Sequence, residues 1–197
     1  MFIKPLKKQL DFFIKTILKN PNIKEILDDN PFPNTNEWYL GAGCLNQTVW
    51  NYLLGNEIEK GIGDYDLIYY DASNLSKRAE IREQKRLRDK FSHFAVELDV
   101  VNEARAHLWF EEDFGKKIDQ YKSVEDAISH WPTTATCVGV NKVNDKVNVF
   151  APYGLSDLLG MIIKPNKPSV IREVYEEKVK KWKSKWPGLT VIPWKEG

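Results

Sequence analysis

Gly61-Ile-Gly-Asp64-Tyr-Asp66-Leu-Ile-Tyr-Tyr70 sets two carboxylates one residue apart at the entry of an apolar, aromatic run. Read as a strand, the run alternates with a period of two, so Asp64 and Asp66 share one face while Tyr65 and Leu67 share the other. Two anions on one face repel, and a divalent cation between them removes that cost. Hard oxygen ligands of this kind suit Mg2+ or Mn2+ held together with a substrate's phosphates.

Upstream of this strand, Trp38-Tyr-Leu40 reads as a short strand running into Gly41-Ala-Gly43. A helix follows from about Cys44, with Val49, Trp50, Leu53 and Leu54 at helical spacing and Gly55 as its stop. A glycine turn feeding a helix can bring backbone N–H groups close to a phosphate. Taken alone, the same turn more often only lets strand and helix pack. Before it, Leu6, Leu10, Phe13, Ile14, Ile17 and Leu18 mark an amphipathic helix that Pro21 closes. A short helix over residues 22–27 and a Pro- and Asn-rich loop over residues 28–36 then lead into the core.

Downstream, residues 75–90 read as a charged helix and residues 93–101 as a strand with Asp99 on its more polar side. Ser123-Val-Glu-Asp126 matches a capping box in the broad sense, opening a helix to about Trp131 that Pro132 ends. Residues 135–142 and 146–150 form an expected hairpin around Val143-Asn-Asp145. Gly154-Leu-Ser156 opens a helix expected through Ile163 and ended by Pro165, and a last helix is expected over residues 169–185. Strands and helices interleave irregularly, which favours an α+β class with α/β character: a mixed central sheet flanked by helices.

At 197 residues with 42% hydrophobic content, the chain suffices for one sizeable core. We expect a single domain, with N-terminal helices over residues 1–30, a core over 36–150 and C-terminal helices over 151–197. The 29 basic and 28 acidic residues balance, so no bulk charge commits the protein to nucleic acid or to a membrane surface. Charges interrupt the apolar character of Met1-Phe-Ile-Lys4-Pro-Leu-Lys-Lys8, which does not resemble a signal peptide. No apolar stretch approaches the roughly 20 residues of a membrane span. Cys44 and Cys137 are the only cysteines, and the cytoplasm with both thiols reduced is the expected location.

The order of a glycine turn, a helix, an Asp-x-Asp strand, a helix and a strand with a third carboxylate resembles the polymerase β-type nucleotidyltransferase superfamily. More closely, the chain resembles a bacterial nucleotidyltransferase-like family, a domain of unknown function within that superfamily. The resemblance covers nearly everything from Trp38 to Trp186. Its carriers are Ala42-Gly-Cys-Leu-Asn-Gln-Thr-Val-Trp-Asn51, Asp64-Tyr-Asp-Leu67, Val101-Asn-Glu-Ala-Arg-Ala-His-Leu-Trp109, His130-Trp-Pro-Thr-Thr-Ala-Thr-Cys-Val-Gly-Val140, Ala151-Pro-Tyr-Gly-Leu-Ser-Asp-Leu158 and Lys164-Pro-Asn166. It implies a nucleotidyltransferase fold and an enzyme that moves a nucleoside monophosphate from a nucleoside triphosphate to a hydroxyl-type acceptor, releasing pyrophosphate.

By the same resemblance, Asp64 and Asp66 hold an Mg2+ or Mn2+ that bridges the phosphates, while Asp99 helps with a second ion and activates the attacking hydroxyl. Gly43 and the helix after it would cradle the β- and γ-phosphates. Two departures stand out. The 20 residues between Gly43 and Asp64 exceed the superfamily's usual spacing, a length that the closer family shares. Cys44 also stands where many superfamily members place a serine, and a thiol donates poorly, so weight shifts to backbone N–H groups, Asn46 and Gln47.

Arg105, His107 and Lys164 complete the candidate nucleotide contacts: Arg105 for a phosphate, His107 for a proton or a base, Lys164 for phosphate. Each has an equally plain structural role, as a brace or at a helix end. The run Lys178-Val-Lys-Lys-Trp-Lys-Ser-Lys-Trp186 could grip RNA but reads better as a solvated helix face with apolar anchors. The acceptor stays open among small molecule, RNA and protein, with neither membrane nor an obligate nucleic acid partner expected. A noncatalytic nucleotide-binding or regulatory domain on the same fold is the alternative.

Overall fold

The computed structural model describes residues 5–35 and 37–195, so the readings placed on Met1–Lys4 and on Asn36 lie outside it. Tyr65 and Leu67 are fully buried and Asp64 is exposed, which realises the expected alternation in strand β2 (Asp64–Tyr69). Three elements precede it: helices α1 (Lys7–Ile17) and α2 (Pro21–Asp29) and strand β1 (Trp38–Gly41). Helix α3 (Gly43–Leu53) follows β1 after a single residue, and Gly55 sits beyond it at φ 67°. Helix α4 (Lys77–Lys90) connects β2 to strand β3 (Glu97–Asn102), and this crossover makes the β2–β3 pair parallel.

Beyond β3 come a 3-10 turn over Glu103–Leu108, helices α5 (Phe110–Phe114) and α6 (Val124–Ser129), and the hairpin β4 (Gly139–Val143) and β5 (Lys146–Phe150). Asn144 and Asp145 both take positive φ, 51° and 59°, the conformation of a two-residue turn matched to strand twist. The sheet order is β3-β2-β1-β4-β5, with every other pair antiparallel. The α+β expectation of a mixed sheet covered by helices therefore holds.

Several boundaries differ from those read in the sequence, each for a local reason. Pro21 is the first residue of α2, because Asn20 caps that helix by accepting from the amides of Asn22 and Ile23. Strand β3 begins at Glu97 instead of residue 93, since Phe91 closes α4 and Phe94 folds back onto Phe91 and Tyr65, with ring centroids 5.1 and 5.9 Å apart. The expected start of the hairpin at residue 135 gives way to Gly139, because Thr133 and Thr136 bond each other in a turn.

The helix expected through Ile163 is the short α7 (Ser156–Leu159). Gly160 caps it and Met161 takes φ 55°, which frees Ile162–Ile163 as strand β6 to pair with β7 (Thr190–Val191). The last helix, α8, runs over Arg172–Lys185 and begins three residues later than expected. No helix among the described residues is long and apolar enough to cross a membrane.

The main core lies between one sheet face and helices α1, α2 and α3, and α8 joins it through Tyr175, Trp182 and its C-cap residue Trp186. Phe13, Ile23, Leu40, Trp50, Leu67 and Trp186 meet there. Within it the Tyr65 hydroxyl donates to Glu59 Oε1 at 2.9 Å, and Asn20 Nδ2 reaches both that hydroxyl and Thr48 Oγ1 at 3.1 Å. Tyr65 separates the two aspartates in sequence, so this buried network fixes their strand from behind. Asn20→Ala should lower stability by about 2–4 kcal/mol, the sum of a lost cap and unpaired buried hydroxyls, as a thermal melt would measure.

Candidate functional site

On the other face of the sheet, the same alternation turns Asp64, Asp66 and Ile68 of β2 and Asp99 and Val101 of β3 into a cleft of about 330 Å3. Asp66 and Asp99 lie directly abreast on the parallel strands, and Gly41 of β1 is the antiparallel neighbour of Asp66. The Gly43 backbone N–H lies toward the Asp66 carboxylate and favours its charged form. Burial first, then the charges of Asp64 and Asp99, push the Asp66 carboxyl up to about 7. An acid raised in this way sits among negative charge that Lys178 offsets only in part, the situation that a bound cation relieves.

The turn that carries these groups is strained and tightly fitted. Ala42 takes φ 50° and ψ −128°, a left-handed conformation that costs a residue with a side chain roughly 1–3 kcal/mol. Relief of that strain outweighs the backbone entropy that glycine adds to the unfolded chain, about 0.4–1 kcal/mol. Ala42→Gly should therefore raise the denaturant midpoint modestly, with an unchanged slope on urea titration. At Gly41 the requirement is space: a Cβ there would stand 2.3 Å from Cη2 of Trp131, whose indole lies on the glycine and walls the cleft. Asn166 holds the Trp131 segment through bonds to the carbonyls of Ser129 and Trp131, at 2.9 and 3.0 Å.

A fourth carboxylate shares the cleft. Glu103 is buried beside the Trp131 indole and its carboxyl is pushed up to about 7, chiefly by burial, with Asp66 and Glu80 adding to the rise. Sequence reasoning passed over it because it lies past the end of β3, where the 3-10 turn sets the direction of every side chain. Three residues per turn bring Glu103, Ala106 and Trp109 to the cleft wall and turn the intervening residues away.

The candidate nucleotide contacts therefore divide. Gly43 and Gln47 line the cleft, and Gln47 Oε1 is buried with no hydrogen-bond partner. The structure does not bring the other candidates there. Cys44 is fully buried, and its thiol donates to the Gly41 carbonyl at 3.3 Å, while burial raises its pKa well above the usual thiol value. Asn46 is also fully buried and donates to Ala135 O. Arg105 braces α4, donating to Leu75 O at 2.9 Å and to Glu80 Oε1 at 2.6 Å. His107 keeps Nδ1 buried and unpartnered beyond the cleft wall, and Lys164 is exposed, with its carbonyl accepting from the Thr134 amide.

Opposite the carboxylates stands α8. Trp182 and Trp186 are buried against Trp50 with ring centroids 6.0 and 5.7 Å away, and this anchoring leaves Lys178, Lys181 and Lys185 lining the cleft. The reading of apolar anchors on a cationic helix thus holds for the tryptophans, while three of the lysines face the site. Farther along the cleft, Trp109, Phe110 and Phe114 form an aromatic cluster with centroid spacings of 4.7 to 6.2 Å.

Asp99 is half-exposed and is drawn toward α4: Gln84 Nε2 donates to its Oδ1 at 3.2 Å, and Arg88 Nη2 lies 3.8 Å away. Among the described residues no group of three or more His, Cys, Asp or Glu side chains is gathered closely enough to hold a metal ion. The donors are the hard oxygens that a divalent cation takes, with Asp64 and Asp66 on one strand and Asp99 abreast of Asp66 on the next.

A family model for nucleotidyltransferases matches residues 33–191. The chain belongs to that family. Its fold is shared with a solved NMR structure described as revealing a CCA-adding enzyme head domain, at a TM-score of 0.74 and 23% identity, with 98% of each chain covered. No curated protein matches the sequence. The family match spans the whole carboxylate face, from before β1 to β7, so the nucleotidyltransferase assignment and the cleft rest on the same stretch of chain.

Proposed function

We propose that the protein is a divalent-cation-dependent nucleotidyltransferase that moves a nucleoside monophosphate from a nucleoside triphosphate to a hydroxyl acceptor. The observation that carries this reading is the placement of Asp64, Asp66 and Asp99 side by side on one sheet face, inside a cleft whose opposite wall is cationic. Bound Mg2+ or Mn2+ would neutralise phosphate charge and lower the pKa of the attacking hydroxyl. Asp64 and Asp66 would hold that cation, and Asp99 would receive the acceptor's proton. As the acceptor oxygen bonds to the α-phosphorus, the bond to the bridging oxygen breaks and pyrophosphate leaves with its electron pair. The aromatic cluster of Trp109, Phe110 and Phe114 offers a stacking surface for a base.

Incubation with each α-labelled nucleoside triphosphate, Mg2+ or Mn2+, and pooled small-molecule, RNA and protein acceptors tests this reading. Label should move to one acceptor class with stoichiometric pyrophosphate. If triphosphate binds but no label moves under any condition, the second reading takes its place: a nucleotide-binding domain without catalysis. The engagement of Asp99 by Gln84 and Arg88 favours that alternative, because it holds the third carboxylate away from the pair.

A further inference from the structure

The N-terminus of α3 is where a glycine turn would be expected to hold a polyphosphate, yet its first amide already faces a carboxylate and its first side chain points inward. The Gly43 amide lies toward Asp66, and the Cys44 thiol is turned into the core on the Gly41 carbonyl. The side chain that could have contributed a hydroxyl contributes none. Across the cleft the situation is reversed. Lys178 and Lys181, three residues apart on α8, line the cleft, and neither has an ion-pair or side-chain hydrogen-bond partner among the described residues. Lys178 has the Trp182 ring beneath its ammonium group, 6.0 Å from the centroid, and its charge acts on Asp66 across the gap. Lys185, one turn farther, is held by the Gly61 carbonyl at 2.9 Å and fixes the end of the helix over the site.

Unpaired ammonium groups thus face carboxylates across a gap and do not close onto them. A linear polyanion that carries divalent cations satisfies both walls at once: its oxygens meet the lysines and its cations meet the aspartates. The Gln47 amide, more than nine-tenths buried and with its oxygen unpartnered, adds a polar group at the α3 side of the same gap. We propose that Lys178 and Lys181 of α8 are the polyphosphate-binding residues of this cleft, and that they take the β- and γ-phosphates that the α3 N-terminus serves in part only. This inference rests on the nucleotidyltransferase reading for its ligand but not for its test.

The test is calorimetric titration of the full chain with inorganic tripolyphosphate in the presence of Mg2+. Lys178→Ala/Lys181→Ala should weaken binding about tenfold or more, since each lost charge-assisted bond is worth a factor of that order. Lys180→Ala, a neighbouring exposed lysine outside the cleft, should leave it unchanged. Lys181→Ala alone, at an exposed position, repeats the measurement should the double variant melt earlier than wild type. Affinity of the cleft variants within twofold of wild type would overturn the proposal. So would an equal loss in Lys180→Ala, or no binding by wild type at millimolar tripolyphosphate. The two readings fail separately: lysine-dependent tripolyphosphate binding without label transfer removes only the transferase, and transfer with an unchanged KM for triphosphate in the double variant removes only the lysine site.

Discussion

Asp66→Asn should abolish nucleotidyl transfer while making the metal-free protein more stable. The two effects share one cause. Asp66 is the most enclosed of the three cleft aspartates, and burial together with Asp64 and Asp99 raises its carboxyl to about 7. A neutral amide of nearly the same volume removes the repulsion and keeps a polar group for the Gly43 amide. One unit of pKa corresponds to about 1.4 kcal/mol, so a gain of roughly 1–3 kcal/mol, several degrees in Tm for a chain of this length, is expected in EDTA. In the proposed reaction the charge itself is needed, because a neutral amide oxygen can ligate a hard cation but does not offset its charge as a carboxylate does. A loss of at least about 1,000-fold in turnover follows from several kcal/mol of forfeited transition-state stabilisation. Scanning calorimetry in EDTA and the label-transfer assay decide the matter together: a destabilised or fully active Asp66→Asn protein would sink the assignment.

Trp50→Ala carries the largest expected structural effect. Trp50 is fully buried on α3, donates its indole N–H to Leu158 O at 3.3 Å and meets Trp182 and Trp186 edge-on. Removing it opens a cavity under α8 and unseats the helix that carries Lys178 and Lys181. Trp-to-Ala changes in cores cost about 3–5 kcal/mol, a substantial part of the 5–15 kcal/mol by which domains are usually stable. Trp50→Phe keeps a ring in place but removes the indole bond to the Leu158 carbonyl, which keeps the Met161 amide as a donor, at a cost of about 1 kcal/mol. A melt of the three proteins should rank wild type, Trp50→Phe and Trp50→Ala in descending order. If Trp50→Ala melted within a degree of wild type, α8 would owe its position to something other than the tryptophan cluster.

What the sequence carried openly was local periodicity. Alternation through Asp64–Tyr69 announced both the strand and the face on which its carboxylates stand, and helical spacing after Gly43 announced α3. Features that depend on distant pairing were not legible. Strands β6 and β7 have two residues each and exist because they meet, so neither shows a pattern of its own. The roles given to Arg105 and His107 failed to reach the cleft for a geometric reason. Proximity in sequence to Asp99 suggested a shared end of the sheet, but the 3-10 turn rotates those two side chains off the wall and presents Glu103 instead. Cys44 was recognised as a departure, and the structure turns its thiol inward onto the Gly41 carbonyl.

The bond between Lys185 and Gly61 joins the two walls of the cleft across 124 positions of chain. Ribosomes add roughly 5–20 residues each second, so on the order of ten seconds pass between synthesis of the carboxylate strand and synthesis of the helix that faces it. Throughout that interval a nascent chain holds its acidic sheet face without the lysines or the tryptophans that seat them. The helix that completes the cleft is thus also a timer: the acidic half is made first and cannot become a closed site until α8 has emerged.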